Sequence, residues 1–310
     1  MTDRPIGRRR SDRIVGATRA TQEIVDQAMA AGRGDLPVVI AGPVGSGKLH
    51  AGRAVHAWSD RASQRFVVVS CAAVAEALLA REIFGAVDGA YPLLPWNHVG
   101  ALSQAAGGTV LIRNIEHLPD ATRLSLIETI KIGSFQREGE SASLPLRARV
   151  IMTTTAQPNA SPLGDLPQHT IRTVPLSERQ EDILPLAAHF LRLYADEENV
   201  LAVGFTSDAR NALVAEEWPG NVRELAERIH QAVKLAGNGS LSAEALMLSL
   251  DSEEVPSFKE AKRAFETRYV VGLLRRCGGN ISRAARMAKK DRKDFYDVIR
   301  RTGVDPAEFR

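Results

Sequence analysis

A short apolar run, Pro37-Val38-Val39-Ile40-Ala41, passes into Gly42-Pro43-Val44-Gly45-Ser46-Gly47-Lys48 and then into a helical pattern from Leu49 to Trp58. The order strand, glycine loop, lysine, helix constrains this chain more than any other feature. Glycines let backbone N–H groups wrap an anion, and the helix N-terminus adds the positive end of its dipole. A lysine at the end of the loop reaches the outer phosphates of a bound nucleotide. Gly42, Val44, Gly45, Ser46, Gly47, Lys48 and Leu49 are therefore expected to line a phosphate site for ATP or ADP. Leu49 stands where such loops usually carry the Ser or Thr that holds Mg²⁺, which argues against the metal.

Further β-like runs follow at Arg65–Ser70, Thr109–Ile112 and Arg149–Thr154, separated by helical patterns such as Asp120 to Ile130. Strands alternating with helices predict a doubly wound parallel α/β sheet. From Glu181 the strand signal disappears, and Ile183–Tyr194, Ser207–Glu216 and Asn221–Ala236 read as amphipathic helices. The expected organisation is a basic tail (1–13), an α/β subdomain (14–175), a helical lid (176–240), a linker (241–256) and a separate all-α unit (257–310). The chain of 310 residues is 44% apolar, enough material for a sizeable core. It has no apolar stretch of about 18 residues, the length that a membrane span needs. Cys71 and Cys277 are its two cysteines, far apart and without histidines at metal spacing. That pattern points to a reducing, cytoplasmic setting and away from disulfides or zinc.

Several strings occur in an order that carries a resemblance: Phe66–Ala73, Glu82-Ile83-Phe84-Gly85, Gly107–Ile112, Glu178–Ile183 and Trp218-Pro219-Gly220-Asn221-Val222-Arg223-Glu224-Leu225. Together they resemble the central AAA+ domain of sigma-54-dependent activators, the bacterial enhancer-binding proteins. The resemblance covers about residues 14–245. It implies an AAA+ sheet with a helical lid, nucleotide binding, ring assembly and contact with sigma-54 RNA polymerase. It also places Arg223 where a lid-helix arginine approaches the γ-phosphate; pairing with a neighbouring acid is the plainer alternative.

The departures from the family pattern concern the chemistry. The acid pair that ends the strand after Gly-Gly-Thr, which holds Mg²⁺ and polarises the attacking water, reads Arg113 and Asn114. A cation there repels a metal, and an amide is no general base. Glu116 lies two residues further on, so its side chain need not substitute in register. The sigma-54-contacting loop corresponds to Gly89–Leu94, with its central Thr-Gly replaced by Pro92-Leu93. Ser70 and Thr155 stand where the family has asparagines that gate the catalytic glutamate and sense the phosphate. The arginine-finger segment reduces to Asp165–Thr170, with no arginine, although Arg172 lies close by. The expectation is a module without catalytic residues and without a metal, unable to hydrolyse ATP or to engage sigma-54.

The last block carries one strong helix over Lys259–Arg276, a second over Ile281–Ala288 and a third over Arg292–Arg301. Two short helices joined by a tight turn, the second rich in Arg and Lys, match a helix-turn-helix. Gly278–Met287 resembles the Fis-type pattern, with Lys289 and Lys290 at turn positions usually filled otherwise. Ser282, Arg283, Arg292, Lys293, Asp294, Tyr296 and Arg300 are the expected contacts to double-stranded DNA, with Arg292, Lys293 and Asp294 best placed to read bases. The resemblance implies a homodimer through the first helices on a two-fold symmetric site. A solvated basic helix on an interaction domain is the alternative. Three functions remain open at this point: a sigma-54-independent DNA-binding regulator, a working sigma-54 activator, and a non-hydrolysing partner of a competent relative.

Overall fold

The computed structural model describes residues 14–90, 97–155, 162–236, 239–247, 258–288 and 290–309. The basic tail, Pro92-Leu93 of the sigma-54 loop position, Lys289 and most of the expected linker lie outside the described residues. Two compact units are present, one up to Ser249 and one from Leu250.

In the first unit, α1 (Arg19–Gly32) precedes β1 (Val38–Ala41), α2 (Lys48–Ala57) and β2 (Phe66–Ser70). Short helices α3 (Leu79–Phe84) and α4 (Ala101–Gln104) lead into β3 (Thr109–Arg113) and α5 (Asp120–Ile132). A hairpin, β4 (Ser134–Gln136) with β5 (Ser143–Pro145), comes before β6 (Arg149–Thr154) and β7 (His169–Arg172). The main sheet has five parallel strands in the order β2-β3-β6-β1-β7. Strands β1 and β6 are buried along their whole length, and β1 and the Val150-Ile151-Met152 centre of β6 accordingly read as apolar runs rather than alternating ones. One apolar cluster, with Leu79, Ile83, Val110 and Ile112, fills one face of the sheet. A second, with Ile24, Ala28, Ile40, Val55 and Leu111, fills the other under α1 and α2. The doubly wound parallel sheet expected from the sequence is present. Strand β7 is an addition to it: only Ile171 of its four residues is buried, so it shows no apolar run, and it forms by pairing with the free edge of β1.

The lid comprises α6 (Ile183–Glu198), α7 (Ser207–Ala215) and α8 (Asn221–Ala236) around Trp218. It is not all helical. Asn199 ends α6 in the left-handed conformation, and the chain then forms β8 (Ala202–Phe205), which pairs in parallel with β9 (Gly239–Leu241). Leu241, Ala243 and Leu246 are buried in the lid cluster, so residues expected as the start of a linker are lid core.

The second unit is three helices, α9 (Phe258–Cys277), α10 (Ile281–Met287) and α11 (Arg292–Thr302). Asn280 caps α10 by accepting from the Arg283 N–H at 3.1 Å. Val270, Leu274, Ala284, Ala285, Phe295 and Ile299 form the core, the paired alanines allowing close helix approach.

A single buried carboxylate ties the N-terminal segment to the start of the lid. Asp182 accepts from the N–H groups of Ala17 (2.6 Å) and Thr18 (2.9 Å) and from the hydroxyls of Thr18 (2.8 Å) and Thr21 (2.5 Å). Burial works against the ionised carboxyl, but the bonds from Thr21, Thr18 and Ala17 outweigh it and hold its pKa below the ordinary value. Its contribution is therefore full above the unfolded-state pKa and is lost as the pH falls through that value towards the folded one. Replacing Asp182 by Ala should cost about 2–4 kcal/mol in urea unfolding, because several donors and the buried Arg179 lose their acceptor or counter-charge. Asp182→Asn should flatten the acid-side fall in stability; an unchanged acid limb contradicts this assignment.

Candidate nucleotide site

The loop between β1 and α2 is built by its glycines. Gly45 has φ +75°, and a Cβ there would sit 2.0 Å from the Gly220 carbonyl oxygen of the lid. Ser46 is buried, with its hydroxyl 2.8 Å from the Pro43 carbonyl and 2.7 Å from Thr173 Oγ1. Val44 is exposed, and Leu49 turns its side chain into the apolar cluster beneath α2. The first N–H groups of α2 have no partner within the helix, as at any helix start, and they face the loop. Lys48 Nζ donates to the carbonyls of Gly42 (2.5 Å) and Pro43 (2.7 Å). Burial lowers the Lys48 pKa first; Glu116 raises it, and Arg113 and Arg223 lower it further. Lys48 therefore lies within electrostatic reach of one acid and two other cations.

The lid holds the loop by its carbonyls. Asn221 Nδ2 donates to Val44 O at 2.9 Å, the Arg223 N–H to Gly45 O at 3.2 Å, and Arg179 Nη2 to Ser46 O at 2.7 Å. Asn221 also accepts from the Leu176 N–H at 2.7 Å, so the turn Trp218–Asn221 serves as a clamp. Beside the loop lies a small cleft of about 60 Å³ with apolar walls from Ile14, Val15, Ile24, Leu186 and Phe190 and polar groups from Ser46, Arg179 and His189. Burial, and then Arg192, push the His189 pKa down, so a neutral imidazole faces the cleft at neutral pH. Arg179 is buried, and its Nε has no partner among the described residues.

At the C-terminal end of β3, Arg113 is half-buried and pairs along the backbone with Ser70. Asn114 adopts the left-handed conformation (φ 58°), which asparagine tolerates, and its N–H donates to Thr153 Oγ1 at 3.2 Å. The chain then makes a 3₁₀ turn over Ile115–His117. Strand alternation therefore does not govern the direction of Glu116. Its Oε1 accepts from Thr155 Oγ1 at 2.9 Å and from Asn114 Nδ2 at 3.4 Å. Burial raises the Glu116 pKa, but its backbone bond and those from Thr155, Asn114 and Thr154 outweigh this and leave it below the ordinary value. Glu116 is thus an ionised carboxylate at the site, as are the contacts of Arg179 and Thr173 part of it; strand and helix periodicity point to none of these.

Arg172 is fixed as the last residue of β7, paired with Ala41, so the finger-position segment ends in an edge strand rather than a free loop. Arg223 is exposed, with Nε 4.0 Å from Glu227. The donors at the usual Mg²⁺ positions do not fit the ion: the strand end offers the cation Arg113, and Leu49 after Lys48 packs into the core.

In the second unit, Arg292, Lys293, Asp294, Tyr296 and Arg300 are all exposed on α11, above buried Phe295, Val298 and Ile299. Arg283 is exposed on α10 and Ser282 is half-buried beside it. No helix among the described residues is long and apolar enough to cross a membrane.

These elements define a AAA+ module with its lid. A profile of the Sigma-54 interaction domain matches residues 14–163, and one of the AAA+ ATPase lid domain matches residues 177–263. The transcriptional regulatory protein GlrR of Escherichia coli K12 is 31% identical over 308 residues, covering 96% of this chain and 69% of that protein. ZraR of the same organism is 30% identical over 301 residues, covering 93% and 68%. The sigma-54-dependent activator SfnR of Pseudomonas putida is 34% identical over 224 residues, covering 69% and 61%. Crystal structures of NtrX from Brucella abortus, in complex with ADP and with ATP, share the fold at a TM-score of 0.68 and 24% identity, covering 95% of this chain and 71% of theirs. The chain belongs to the family of sigma-54-dependent transcriptional regulators.

Gly45→Ala tests the clamp. The left-handed backbone and the 2.0 Å approach to Gly220 should together displace the lid from the loop and cost about 1–3 kcal/mol in thermal unfolding. Gly164→Ala, also at positive φ but with open space around its Cβ, is the control and should cost less.

Proposed function

We propose that this chain is a sequence-specific regulator of transcription that binds double-stranded DNA through its second unit, while its AAA+ module binds ATP or ADP without hydrolysing it. The DNA half is carried by α11, whose exposed face presents Arg292, Lys293, Tyr296 and Arg300 over a fixed apolar core. A short helix of that charge, entered by a tight turn from α10, suits the major groove. Arg292, Lys293 and Asp294 lie in its first turn, where base edges come within reach. Arg283 and Arg300 suit phosphates, and Tyr296 suits phosphate contact or packing against the groove wall. A homodimer through α9 would present two recognition helices to a two-fold symmetric site.

The silent half is supported by Arg113 and Asn114 in place of the acid pair. Phosphoryl transfer depends on a metal, an oriented water and stabilising cations, and removing the first two costs orders of magnitude. Family membership carries the expectation of sigma-54 contact and ring assembly. Pro92-Leu93 in the contacting loop argues against sigma-54 engagement, and ring assembly would then serve oligomerisation or sensing rather than remodelling. One observation favours a residual activity instead: Glu116 is ionised and held at the same strand end, electrostatically coupled to Lys48.

Selection from a random duplex pool with the full chain should enrich a two-fold symmetric sequence. Arg292→Ala should relax preference at particular positions, at a cost of about 1–3 kcal/mol. Arg300→Ala should weaken all duplexes alike and reduce the salt slope by about one. Failure to bind any duplex at low salt would sink the DNA-binding reading.

A further inference from the structure

Arg113 occupies an unusual electrostatic position. It ends β3, one strand away from β6 and two from β1, whose following loop and helix carry Lys48. It is half-buried, and among the described residues it has no hydrogen bond or ion pair. The carboxylate at the same strand end, Glu116, bonds to Asn114 and Thr155 instead. A guanidinium is never deprotonated in a protein, so a partly desolvated one without a counter-ion is stabilised by any anion that arrives. Its planar fork is also the group best shaped to take two phosphate oxygens together.

The direction from which an anion would arrive is set by the loop. The start of α2 carries Lys48, and both Arg113 and Arg223 of the lid lie within electrostatic reach of its ammonium. Lys48 is turned back onto the carbonyls of Gly42 and Pro43, bonds that it can exchange for phosphate oxygens. A polyphosphate lying in the loop would bring its outer oxygens towards the end of β3, where a metal-binding carboxylate would ordinarily meet a chelated ion. Here a fixed cation stands in that place.

We infer that Arg113 supplies the positive charge that a divalent ion would otherwise supply, so that the ligand of this site is a metal-free nucleotide polyphosphate and Mg²⁺ weakens its binding. The inference rests on the reading that the module binds nucleotide. Two effects act in the same direction. A free nucleoside triphosphate carries more negative charge than its magnesium chelate, so it gains more from Lys48, Arg113 and Arg223. The chelate also brings a cation against the guanidinium, a like-charge contact that the free nucleotide avoids. Glu116 opposes both by repelling phosphate oxygens. Its one bonded oxygen is committed to Thr155 and Asn114, and its charge already offsets Lys48 in the absence of ligand.

The test is isothermal titration of the full chain with ATP in EDTA and again in excess Mg²⁺. The expected result is tighter binding in EDTA than in Mg²⁺, with Arg113→Ala weakening the EDTA value by about tenfold. Arg113→Asp should reverse the preference, so that the magnesium chelate binds more tightly. The comparison of the two media needs no variant, so it holds even if a substitution impairs folding. Equal or tighter binding in Mg²⁺ overturns the inference but leaves nucleotide binding intact, and loss of a magnesium preference in Glu116→Gln would assign the metal to Glu116. Absence of binding in both media, with the chain folded by circular dichroism, overturns the inference together with the nucleotide reading beneath it.

Discussion

The rest of the first unit depends on how the carbonyls of the phosphate loop are held. A loop that aims its N–H groups outward leaves its C=O groups facing the protein, and each needs a donor if it is not to lose hydrogen bonding on burial. Asn221, the Arg223 N–H and Arg179 supply those donors from the lid and its approach. The same arrangement fixes the lid against the sheet, because the Gly220 carbonyl fits only where Gly45 has no side chain. Asp182 then carries the connection through Thr18 and Thr21 to the N-terminal segment, which forms one wall of the cleft. Loop shape, lid position and cleft lining are thus one hydrogen-bonded assembly.

That assembly is independent of the residues that would perform chemistry. Everything that shapes the loop is present, whereas the end of β3 has exchanged its acids for Arg113 and Asn114. The fold loses nothing by this exchange. Asn114 suits the left-handed position at which the strand turns, and Arg113 keeps its backbone pairing with Ser70.

The sequence made the sheet legible because strands buried on both faces are mostly apolar in succession, as β1 and Val150–Met152 of β6 are. It hid β7, β8 and β9 for the complementary reason. His169–Arg172 is an edge strand with one buried residue, and Ala202–Phe205 and Gly239–Leu241 are short and glycine-containing, with Leu241 their one buried residue. The loop residues Gly42–Lys48 fall where their spacing predicts, since that spacing is the mechanism. Glu116 was not legible, because a left-handed residue and a 3₁₀ turn reset the direction of its side chain. Nor were Arg179 and Asp182, whose burial is imposed by partners more than a hundred positions away.

The central claim is that the nucleotide cleft survives without its chemistry, and a single-turnover measurement tests it most directly. Full chain in large excess over trace radiolabelled ATP, with Mg²⁺ present, removes any dependence on product release. The account predicts no ADP above the protein-free rate over hours. Formation of ADP in proportion to protein, abolished by Lys48→Ala, would contradict it.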